Sequence, residues 1–345
     1  MSRGHSAGQL LSGVLLSGVL AVLGPAVATA QDSAELSFLR KVIQLDEGQL
    51  ADVEKGEVVT KQLPTTEKSE VAAFGVVRTS GTVDQLLAAA KNVLESHKIE
   101  QIPEVGLLSN PAKPENLQGL HYPPDDIAAL KKCKPGSCDV KLGTNGLEAV
   151  SRIDWKAPDA EAQAIAALNQ LFVGYVQAYQ KGGTEAMSNV LDKKDEKSRA
   201  DLYRELLAHS PYLVDYEKDF NDYLANYPKG TLAGAEDAFY WTKDTLGPKP
   251  VVSIYHQTFY KSGGGALIAT KLVAATHFFN ASLELTAASP TPDGKGLYLM
   301  CLERTRLDPP TGALAGALMG KVRGGVEKGV KEILKRARER LAAAH

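Results

Sequence analysis

The chain has 345 residues, with 39 Lys and Arg against 41 Asp and Glu, a formal net charge of −2, and 44% hydrophobic content. That near-neutral balance offers no electrostatic footprint for nucleic acid. Nothing after residue 30 is long and apolar enough to span a bilayer.

The first thirty residues read as a secretory leader. Arg3 and His5 give a basic start, "LLSGVLLSGVLAVLG" an apolar core, and Ala28-Thr29-Ala30 a small-residue cleavage site. Cleavage after Ala30 would leave an exported, soluble protein beginning at Gln31. The "GHSAG" of residues 4–8 matches the G-x-S-x-G hydrolase pattern, but an elbow needs a strand before it and a helix after it. Inside a leader it carries no chemistry.

A β-rich part follows, about 56–109. "SAELSFLRKVIQL" before it has helical spacing, and "EVVTKQL" and "EVAAFGVVRTS" read as strands. Thr82 and Gln85 form a capping box ahead of a helix, and "IEQIPEVGLLS" reads as another short strand. From about 110 to 247 the chain is mainly helical. Cys133 and Cys138 bracket "KPGS", whose turn brings the thiols together, so an oxidising compartment favours a local disulfide. A metal site would need further ligands, and haem attachment a histidine where Asp139 stands. Residues 158–181 form a helix with Phe172, Tyr175 and Tyr179 on one face; "LDKKDEKSRADLYRELLAH" reads as a solvated helix. Tyr212, Tyr216, Phe220, Tyr223 and Tyr227 share another helical face.

A second β region spans about 248–308. "PVVSIYHQTFYK" turns through "SGGG" into a run over 266–289, too long for one flat strand and expected to bend or bulge. "LYLMCLERTRL" is the last strand, with Cys301 as a small buried hydrophobe. A long helix over about 311–343 closes the chain. In it Gly312, Gly316, Gly320 and Gly324 recur every fourth residue beside Leu314, Leu318, Val322 and Val326. Each interior glycine weakens a helix by about 0.8–1 kcal/mol relative to alanine, so packing is expected to offset the loss.

"EVAAFGVVRTSGTVDQLLAAA", the strands over 250–307 and the terminal helix together resemble the START-like (helix-grip, SRPBCC) superfamily. The resemblance covers roughly the first eighty mature residues and the last hundred. It implies an α+β fold over 31–345, a curved antiparallel sheet gripping a long C-terminal helix around a hydrophobic cavity, with 110–247 as a helical insertion. That superfamily includes lipid- and sterol-transfer proteins as well as cyclases and hydroxylase subunits. For an exported chain with no cofactor motif, it implies a binder or carrier of a lipid or other hydrophobic small molecule. The alternatives are a cyclase- or hydrolase-like enzyme and an envelope structural protein without a ligand.

Candidate ligand-binding residues follow from the aromatic faces and the helix. Tyr175, Tyr179, Tyr216 and Tyr223 are candidates from the insertion, with Tyr255 and Phe279 from the strands. They read either as rings packed on the body or as the wall of an apolar site. Gly316 and Gly320 would let the sheet approach or leave room for a ligand. His256 and His277 show no carboxylate in a recognisable pattern and read as satisfied sheet residues. Glu284 and Glu303 can face one another across adjacent strands with Arg304 or Arg306 as partner, either as surface charge or as a polar anchor. Asn280 lies in a glycosylation sequon. Lys331, Lys335, Arg336, Arg338 and Arg340 make a basic helix end suited to its dipole, and to transient contact with an anionic membrane surface. No HExxH, P-loop or dinucleotide fingerprint occurs in the mature chain, so neither cofactor nor metal is expected.

Overall fold

Strand β2 (Glu70–Thr79) is buried along almost its whole length, which requires cover on both of its faces. The computed structural model describes residues 33–343 apart from 195, 211–216 and 246. The leader and its cleavage point, with Tyr212 and Tyr216, lie outside the described residues. β1 (Val59–Gln62) and β3 (Glu104–Leu108) are the sheet edges. Between them every pairing is antiparallel, in the order β1-β2-β8-β7-β6-β5-β4-β3. The remaining strands are β4 (Glu236–Asp244), β5 (Val251–Ser262), β6 (Gly265–Ala275), β7 (Phe279–Pro290) and β8 (Leu297–Leu307). β8 returns beside β2, so the last strand unites the two halves of the chain.

Side chains alternate along each strand, and the two faces have different cover. On one face Ala73 and Val77 pack with Val330, Leu334 and Leu341 of the terminal helix, α10 (Ala315–Ala343), and with Leu86 and Leu87 of α3 (Val83–Lys91). On the other, Phe74 and Val76 join Leu39 of α1 (Ala34–Lys41) and Leu50 and Val53 of α2 (Glu47–Glu54). The same cluster takes Leu168 and Phe172 of α7 (Ala160–Gly182) and Leu206 of α8 (Arg199–Ala208). The fold is a curved antiparallel sheet gripping a long C-terminal helix, with an inserted helical region against its back. That insertion also contains α5 (Pro124–Leu130), α6 (Thr144–Ser151) and α9 (Lys218–Asn226).

The grip is closest at Gly75. A Cβ there would stand 2.6 Å from Leu334 Cδ1 and 2.7 Å from Val330 Cγ1. The glycine that lets helix and sheet approach therefore lies on the sheet. A Cβ at Gly316, Gly320 or Gly324 meets nothing within 4 Å, which corrects the expectation that the helix's own glycine stripe permits the approach. Those glycines face outward, beside the exposed Leu314 and Leu318. Glu327 fastens the helix to the sheet edge by accepting from Thr60 Oγ1 (3.0 Å) and Gln62 Nε2 (2.9 Å). Arg338 donates to the Gly56 carbonyl at 2.7 Å.

The capping box at Thr82 and Gln85 is present in both directions, and Cys133 and Cys138 form a disulfide across their turn. Cys301 is buried and unbridged. The long 266–289 run does more than bulge: it reverses at Thr276-His277-Phe278, and β7 then pairs back on β6. Phe278 takes φ +53° there, and the Thr276 hydroxyl accepts from the Val252 amide at 3.0 Å. A further correction concerns β4, which lies inside the range read as helical. It pairs with both β3 and β5. The terminal helix begins at Ala315, after Gly312 at φ +86°.

Candidate functional site

Strand register sets the chemistry of the helix-facing side. Gln257 lies opposite Thr270, Thr270 opposite Glu284, and Glu284 opposite Glu303, so four polar residues cross β5, β6, β7 and β8 in one row. Glu303 accepts from Ser282 Oγ at 2.8 Å and from Thr305 Oγ1. Burial, followed by repulsion from Glu303, pushes the Glu284 carboxyl up to about 8, with Arg336 acting in the opposite sense. Burial also raises Glu303, against the two hydroxyls that stabilise its charge. Tyr255, one of the candidates, stacks on Tyr240 with centroids 5.2 Å apart, and His97 of α4 (Val93–His97) lies 4.5 Å beyond. Phe279 sits at the edge of this face with Val71, Leu307 and Met319. Arg304 and Arg306 are not partners of the glutamate pair, because alternation sends them to the other face. There they meet Glu70, at 2.5 Å and 3.0 Å.

Beneath the insertion, a cavity of about 360 Å³ opens between α1, α9 and the sheet, on the face away from the terminal helix and not in the grip where the resemblance places it. Phe38, Phe74, Phe220, Leu285, Met300 and Leu302 line it, with Glu35, Glu217 and Ser289 also on its walls. A smaller cavity of about 110 Å³ lies among Lys141, Asp192, His277 and Asp308. Lys141 bridges Asp308 (2.5 Å) and Asp192 (3.2 Å), and Asn280 accepts from it at 2.9 Å. Asn280 is thereby buried, so the sequon is not displayed at the surface.

The insertion's tyrosines meet a polar chain that is not legible in the sequence. Asp237 accepts from His256 Nε2 at 2.8 Å and from Tyr223 OH at 2.5 Å. With Nε2 donating, Nδ1 of neutral His256 accepts from Tyr179 OH at 2.8 Å. Burial lowers the histidine's pKa against the pull of Asp237, which favours that neutral form. Lys271, opposite His256, donates to Thr184 Oγ1 at 2.7 Å, and its amine stands 3.5 Å from the Tyr203 ring centroid. Burial drives the Lys271 pKa well down. Tyr179 and His256 are 0% and 2% exposed, so a substrate could reach them only by displacing packed rings. His277 likewise has a carboxylate, Asp126 at 2.9 Å.

The candidate residues thus separate. Tyr179 and Tyr223 meet around Asp237, while Tyr175 is half-buried, stacks edge-on to Phe172, and has its hydroxyl 3.3 Å from the Gly143 amide. Tyr255 and Phe279 lie across the sheet, and Gly316 and Gly320 face outward. Asp237 lies on β4, inside the stretch whose pattern reads as helical, so the sequence gives it no strand partner. Phe38 and Leu285 carried only ordinary core spacing. Among the described residues no helix is long and apolar enough to cross a membrane, and no group of three or more His, Cys, Asp or Glu could hold a metal ion.

The architecture defines a helix-grip sheet with an elaborated back. No family model matches the chain, and no curated protein matches it. Two solved structures are similar over part of their course. One is a STAR-related lipid transfer protein from Xanthomonas axonopodis, 7% identical with a TM-score of 0.34, over 81% of this chain and 93% of that one. The other is a Thermus thermophilus protein, 15% identical with a TM-score of 0.26, over 38% of this chain and 86% of that one. The fold assignment rests on strand order and register, not on these likenesses.

Proposed function

We propose that this is an exported START-like protein that binds a hydrophobic small molecule, lipid-like in character, and holds or carries it. The observation behind this reading is the cavity lined by Phe38, Phe74, Phe220, Leu285, Met300 and Leu302. Its volume of about 360 Å³ falls within the size range of small-molecule sites, and aromatic and aliphatic walls with a few polar groups are what such sites present. Binding is burial without covalent chemistry. Removing apolar surface from water contributes about 25 cal/mol per Å², before the costs of ordering and lost mobility. The alternative, acid–base catalysis by His256 with Tyr179, draws on the Asp237 contact and requires those enclosed rings to open.

The test is native mass spectrometry of protein purified from its own host, followed by solvent extraction. An apolar compound is expected with the wild type and is expected to be lost in Leu285→Trp, which fills the cavity. Recovery of nothing across several hosts and added lipid classes overturns the reading, as does undiminished recovery from a folded Leu285→Trp.

A further inference from the structure

The row Gln257, Thr270, Glu284, Glu303 lies on the opposite face of the sheet from the apolar cavity and plays no part in that reading. Adjacent strands are about 4.8 Å apart, so the row runs roughly 14 Å across the sheet beneath the terminal helix. Its two glutamates are less tightly packed than the rest of this face. Glu284 and Glu303, with the nearby Tyr255, are half-buried, whereas Gln257, Thr270, Phe259 and Cys301 are buried. They lie between the sheet and its cover of α3, α4 and α10, where partial access to solvent marks a gap in that cover.

Two acceptors in the row go without a donor. Gln257 spends its amide N–H on Thr270 Oγ1 at 3.1 Å, while its Oε1 finds no partner although the residue is only 5% exposed. An unpaired buried carbonyl costs about 1–3 kcal/mol, so a ligand that donates to it is favoured. Among the described residues no donor reaches the Glu284 carboxyl, while its neighbour Glu303 accepts from the Ser282 and Thr305 hydroxyls. The charges are unequal as well. Arg336 of α10, Tyr240 of β4, Tyr255 of β5 and Cys301 of β8 face the glutamate pair, with Arg340 of α10 and His97 of α4 beside Arg336. Arg336 is the cation that acts on Glu284, and burial and Arg340 lower its own affinity for a proton. Burial keeps His97 toward its neutral form.

We propose that this cleft is a second binding site, for a primary amine on an apolar body, its ammonium held at Glu284, with Glu303 one strand away on one side and the side-chain carbonyl of Gln257 two strands away on the other. Phe259 on the sheet and Val330 on the helix supply the apolar wall. The half-buried Tyr255, stacked on Tyr240, supplies an aromatic ring of the kind that attracts an ammonium. The bound ammonium takes the place of the proton that relieves repulsion within the pair. Calcium and magnesium want six or more oxygens, and two carboxylates with one amide fall short.

Hexylamine, hexan-1-ol and hexanoate, titrated calorimetrically into the full chain, test the assignment. Hexylamine should bind at least tenfold more tightly than hexanol at pH 8, and hexanoate should not bind. Repeating the titration at pH 7.5 in two buffers of different ionisation heat should show proton release. Because one proton competes with the ligand, affinity should fall about tenfold per pH unit below pH 8. Glu284→Gln and Glu303→Gln should each weaken hexylamine at least tenfold and abolish the release, with unfolding midpoints monitoring the fold. Gln257→Leu, which removes only an unpaired acceptor, should weaken it severalfold. Absence of hexylamine binding at millimolar concentration, equal affinity for hexanol, preference for calcium, or indifference to Glu284→Gln overturns the proposal. Leu285→Trp should leave hexylamine binding intact, so failure of this site and failure of the apolar cavity are told apart.

Discussion

The contact between Gly75 and the terminal helix gives a prediction with two opposite signs. In Gly75→Ala the new methyl would lie 2.6 Å from Leu334 Cδ1 and 2.7 Å from Val330 Cγ1, about 1 Å inside ordinary carbon contact. Leu334 and Val330 are 0% and 1% exposed, so neither can swing into solvent, and the helix must lift from the sheet. Overpacking of this kind costs about 1–3 kcal/mol. Lower freedom in the unfolded chain returns about 0.4–1 kcal/mol, leaving a net loss of roughly 1–2 kcal/mol. At Gly316, Gly320 and Gly324 the added methyl meets nothing within 4 Å, and each alanine should stabilise by about 0.8–1 kcal/mol. Urea unfolding at an unchanged m-value measures both. Loss of stability in the helix variants, or none in Gly75→Ala, would show that the stripe and not the sheet glycine carries the packing. Gly316→Leu should leave ligand uptake unchanged for the same reason.

The Glu284 carboxyl, raised to about 8 by burial and by Glu303, binds a proton in the folded state that it lacks unfolded, so stability should fall as pH rises from about 4.3 to 8. Glu284→Gln should remove most of that fall, roughly 2–4 kcal/mol allowing for its partial access to water, as read from unfolding midpoints across the range. Lys271 has the opposite sense: burial depresses its pKa, so it destabilises below the unfolded value of about 10.4, and Lys271→Met should stabilise at pH 7 by roughly 1–4 kcal/mol. The gain should shrink as pH approaches 10, and a pH-independent gain would mean that Lys271 keeps its unfolded pKa in the folded protein. Reducing the Cys133–Cys138 bridge, with its sequence separation of 5, should cost about 2 kcal/mol on loop entropy, measured as a lower urea midpoint in dithiothreitol.

What the sequence made legible follows from how local each signal is. The capping box at Thr82 and Gln85, the thiol pair around a Pro-Gly turn and the hairpin through Gly263 and Gly264 are all set within a few residues, and each forms as read. The reversal at Phe278 is also local, but contains neither glycine nor proline. It is held by the Thr276 hydroxyl on a neighbouring strand, so it looks like continuous β sequence. β4 was missed although "FYWT" favours a strand, and losing it hid Asp237 and with it the partner of His256. Alternation within β8 already separates Glu303 from Arg304 and Arg306, so an ion pair between them was excluded by parity alone. The row from Gln257 to Glu303 needs the register of four strands and a bulge between Ile254 and Tyr255, information held by no single segment. The glycine stripe was the most conspicuous pattern and has the least to touch. A periodic pattern identifies a face, and only the partner surface decides whether that face is the one gripped.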